Sequence, residues 1–68
     1  MEVSIETKKK ILEQDLQVFH NSIYALTVKA KVMTDIGNEK QAEPIAKEIE
    51  TLVKMKDKYE EILGKLDG

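Results

Sequence analysis

The sequence predicts an all-α protein, an antiparallel two-helix hairpin that dimerises into a four-helix bundle. Three observations carry this. Two long stretches repeat apolar residues at alternating steps of three and four, a single break signal separates them, and more apolar positions remain than one seam between two helices can use. The domain reading is one helical hairpin over 1–68, with a helix over about 4–36, a turn at about 37–38 and a helix over about 39–66.

The first helix is read from Leu12, Leu16, Phe19, Ile23, Leu26, Ala30 and Met33, with Ser4 available as its N-terminal cap. This pattern keeps one straight apolar edge along the helix and never settles into the strict alternation of a strand. The turn follows at Gly37-Asn38. Glycine suits the left-handed residue after a helix end because it has no Cβ to clash. Asn38 offers a side-chain cap to the next helix, and Gln41 three residues on resembles the reciprocal half of a capping box.

The second helix carries Ala42, Ile45, Ile49, Leu52, Lys56, Tyr59, Leu63 and Leu66 on its seam. Pro44 falls in its second turn, where it lacks a donor and crowds the preceding turn, so a local distortion is expected there. So short a turn forces an antiparallel return. One register then pairs Met33 with Ala42, Ala30 with Ile45, Leu26 with Ile49, Ile23 with Leu52, Phe19 with Lys56, Leu16 with Tyr59 and Leu12 with Leu63. It also brings Lys29 near Glu48. The pairs Glu43/Lys47, Glu50/Lys54 and Glu61/Lys65 have the four-residue spacing, acid first, that supports a helix surface.

Dimerisation follows from what the seam leaves over. Ile11, Val18, Ala25 and Val32 recur every seven residues beside it, and the register sets Ser22, Ile36, Met55 and Ile62 on the same side. These eight residues form the expected oligomer interface, a stripe roughly 40 Å long at the helical rise per residue. Burying its larger side chains is worth on the order of 10 kcal/mol or more, comparable with the whole stability of a small domain. A chain of 68 residues without cysteine cannot substitute disulfides or thiolate metal sites for a large core. A second copy is the simplest cover. The opposite side, with Lys10, Glu13, Gln17, His20, Thr27, Lys31 and Thr34, is largely polar.

Nothing in the sequence has the spacing of a catalytic, cofactor or metal site, and none is expected. His20 is the single histidine, with no serine or cysteine nucleophile placed for it. Lys56 is the one charge on the seam and is expected to reach past Phe19 and Tyr59 toward Glu60 or solvent. Tyr24 and Val28 point away from both apolar faces as candidates for touching another protein.

The net charge of −2 gives no general attraction to phosphate or to acidic membranes. No apolar run approaches a membrane span. Met1-Glu2-Val3-Ser4 lacks the opening of a signal peptide, so an intracellular, cytoplasmic location is the default. The expected function is a non-enzymatic, homo-oligomeric interaction module, a small regulatory or accessory protein acting through protein–protein contacts. Its partners are a second copy of itself and, in the wider reading, another protein. The alternative is a nucleic-acid-binding helical bundle using Lys8, Lys9 and Lys10 with Lys29 and Lys31, although lysines without arginine or aromatic residues are weak ligands for bases.

Overall fold

The computed structural model describes the backbone of residues 2–67 and the side chains of residues 2–66; Met1 and Gly68 lie outside the described residues. It is all-helical. Helix α1 spans Ile5–Asp35 and α2 spans Glu39–Asp67, and the two pack against each other along their length. The Cα trace is a rod of 52 × 19 × 15 Å with a radius of gyration of 15.7 Å, whereas a compact domain of this length has about 11 Å.

Local chemistry explains where each helix starts and stops. Ser4 holds an extended backbone, φ −64° and ψ 157°, and its Oγ accepts the Thr7 N–H at 3.1 Å while its hydroxyl donates to Thr7 Oγ1 at 2.9 Å. The expected cap is therefore in place. At the other end of α1 the Asn38 N–H donates to the Met33 carbonyl at 2.7 Å and the Gly37 N–H to the Thr34 carbonyl at 3.0 Å. This crossed pair is the Schellman arrangement, and Gly37 supplies the φ of 82° that it requires.

Asn38 does not cap α2 through its side chain as expected. It contributes its backbone carbonyl, which accepts the Gln41 N–H at 3.2 Å. Asn38 already donates its own N–H back to α1, so it closes the first helix and opens the second with backbone groups alone. Helix α2 continues through Pro44, which is exposed. The ring costs α2 the bond that residue 44 would have donated to the Lys40 carbonyl.

Every residue assigned to the seam from periodicity is half-buried, from Leu12 to Met33 on α1 and from Ala42 to Leu66 on α2. Phe19 and Tyr59 meet edge to face across it, ring centroids 5.0 Å apart at 67°. They belong to neighbouring layers of the expected register. Lys9, seven residues before Leu16, is also half-buried and extends the seam toward the chain start. Among the described residues no side chain is fully buried. A two-helix hairpin has an inner edge but no second layer to close over it.

Surface charges follow the helices. Glu50–Lys54 at 3.4 Å and Glu61–Lys65 at 3.8 Å form as their spacing indicates, and Lys31–Asp35 at 3.1 Å and Lys58–Glu61 at 3.4 Å add to them. Glu43/Lys47 and the cross-helix Lys29/Glu48 do not form ion pairs. Lys29 is exposed, and an exposed pair gains too little to hold two long side chains in one geometry.

Candidate interaction surface

The expected oligomer interface lies outside the hairpin seam. Ile11, Val18, Val32, Ile36, Met55 and Ile62 are between 44% and 67% exposed, Ile36 most of all. Ala25 is exposed and Ser22 half-buried. Ile11 and Ile62, from opposite helices, line one open depression of about 370 Å³ together with Lys8, Leu12 and Leu66. That depression ties the two helices' apolar rows to one flank at the open end of the hairpin.

Partial exposure corrects the energetic expectation. The hairpin already shields about half of each large side chain on this face. Covering the remainder would gain roughly 5–10 kcal/mol per chain, less than full burial of the same residues would give.

Lys56 is placed as its seam position demands. Its side chain is 19% exposed, and Nζ reaches Glu60 Oε1 at 2.6 Å and Asp57 Oδ1 at 3.2 Å. The ammonium thus turns along its own helix to two carboxylates while most of the side chain stays covered. The hydrogen bonds it donates, first to Glu60 and then to Asp57, hold its pKa above the ordinary lysine value.

The other singled-out residues do not converge. His20 is exposed, and the neighbouring Gln17 donates to Asn21 Oδ1 at 3.0 Å. Tyr24, 72% exposed, and Val28 stand on the far side of α1. Lys8 and Lys10 are exposed but Lys9 is half-buried. Successive helical residues are about 100° apart, so the three lysines fan around α1 instead of forming one basic surface. Among the described residues no three His, Cys, Asp or Glu side chains gather at one point, and no helix is long and apolar enough to cross a membrane.

The interface expected from periodicity took Ser22 and Ile36 from one row of α1 and left out that row's charged members, Lys8, Asp15 and Lys29. Lys8, Asp15, Ser22, Lys29 and Ile36 follow one another every seven residues along the same flank. Of these, Asp15 and Ser22 are half-buried and Lys8, Lys29 and Ile36 exposed. The signal was present in the heptad spacing, but the charged members hid it from a search for apolar residues. Comparison with protein-family models, with curated proteins and with solved structures finds no match for this chain.

Proposed function

We propose that this chain is a non-enzymatic, homo-oligomeric interaction module whose hairpin pairs with a second copy into a four-helix bundle. In this reading it is a small regulatory or accessory protein of the cytoplasm that works through protein–protein contacts. The observation that carries the proposal is the surface left over. The chain exposes 5455 Å², whereas a globular monomer of 7.8 kDa exposes about 4,400 Å². The excess, about 1,050 Å², is more than the ~800 Å² that each partner contributes to a standard interface.

The energetics point the same way. The gain of roughly 5–10 kcal/mol applies to each copy, against about 4–15 kcal/mol of lost translational and rotational freedom for the pair. Association on this scale would be coupled to folding. The outer side of α1, with Tyr24 and Val28, stays free in such a bundle for a further protein. The nucleic-acid reading gains no support from the fanned lysines.

Sedimentation of the wild-type chain at micromolar concentration is expected to give twice the chain mass. Val18→Asp, which sets a charge on the stripe, should halve that mass and lower helicity together, while Gln17→Asp should change neither. A Val18→Asp chain with unchanged mass and helicity would show that the stripe is not an interface.

A further inference from the structure

Resting on the self-association proposed above, the geometry points to an antiparallel pairing of the two hairpins, in which each turn seats its Ile36 in the depression at the open end of the other copy. Ile36 is the most exposed apolar residue of the stripe, at 67%, and it stands where α1 ends. The depression lined by Lys8, Ile11, Leu12, Ile62 and Leu66 lies at the opposite end of the same flank. Midway between them along α1 are Ser22 and Ala25, the two smallest side chains of the stripe. A two-fold axis at that point carries each Ile36 onto the depression of its mate, and small residues at the crossing let the helices come close.

Charge selects the same orientation independently. Asp15 and Lys29 lie seven residues to either side of Ser22 in one row. Asp15 is half-buried and Lys29 exposed, and among the described residues neither has an ion-pair partner. Antiparallel copies set Lys29 of each opposite Asp15 of the other, twice over, and set Lys8 beside Ile36. Parallel copies would set Asp15 against Asp15, Lys29 against Lys29 and Lys8 against Lys8, and opposed like charges select against a pairing.

The chain has no cysteine, so introduced thiols report proximity cleanly. Ile36→Cys and Ile62→Cys chains, refolded together and oxidised, are expected to give the mixed 36–62 disulfide as the main product. Ile62→Cys alone should cross-link poorly. A dominant 62–62 product would overturn the antiparallel arrangement while leaving self-association intact. Charge exchange tests it without touching the apolar face. Asp15→Lys and Lys29→Asp should each weaken dimerisation about tenfold, and the double variant should return to within about threefold of wild type. Losses that simply accumulate in the double variant would also overturn the orientation. A wild-type chain that sediments as a folded monomer, the result if a different protein covers this flank, would overturn the self-association itself.

Discussion

Gly37 and Gly64 sit in different backbones, and the same substitution should act on them in opposite directions. Gly37 has φ +82°, and a Cβ added there would meet nothing within 4 Å. The cost of Gly37→Ala is then conformational alone, about 1–2 kcal/mol for a left-handed L-residue. Gly64 lies inside α2, also with open space around it. Gly64→Ala should stabilise by about 0.5–1 kcal/mol, because alanine loses less backbone freedom in a helix. Urea titrations followed by circular dichroism would read both signs. Lys56 offers a second residue-scale test. Its pKa is raised from the ordinary 10.5 by its carboxylate neighbours, so its stabilisation is complete below pH 10.5 and is lost as pH climbs through the raised value. Wild type should therefore lose thermal stability more steeply than Lys56→Leu above pH 10.5; parallel profiles would show that the ion pairs contribute nothing.

Each helix owes its limits to a few backbone devices and its length to the seam. Ser4 and the crossed hydrogen bonds at Met33 and Thr34 set the two ends of α1. Such caps are legible in sequence because they depend on residue type over three or four positions. Whether Asn38 would use its side chain or its backbone was not legible, since that depends on how the Gly37 turn aims it. In α2, Pro44 is exposed and leaves the Lys40 carbonyl without its helical donor. Pro44→Ala should restore that bond and stabilise the fold by about 1–3 kcal/mol, less than mid-helix because only the first turns are affected. Thermal melts would check this. A lower melting temperature would mean that the rigid ring holds α2 in its starting direction more than it strains it.

Across the whole molecule, two helices cannot enclose a core, and every seam residue keeps some exposure. If a second copy completes the enclosure, folding and association share one free energy, and the melting temperature should rise with protein concentration through the micromolar range. Melts recorded over a hundredfold dilution would decide it. A constant midpoint would mean that the hairpin holds itself together unaided. The expected stripe was legible for the same reason as the seam, because heptad spacing fixes the direction in which each side chain leaves its helix. The depression at the open end was not, because it needs Leu12 and Leu66 from opposite helices beside Lys8.

The sequence by itself determined the helices, the Ser4 cap and Gly37 stop of α1, the antiparallel return and the residues of the seam. These rest on periodicity and local backbone chemistry, which act over a few residues and can be counted along a chain. Only the tertiary structure decided how deeply each side chain is covered, which surface ion pairs form, and how Lys8, Ile11, Leu12, Ile62 and Leu66 close one depression at the open end. Those depend on the distance between two helices, and no spacing within either helix contains that distance.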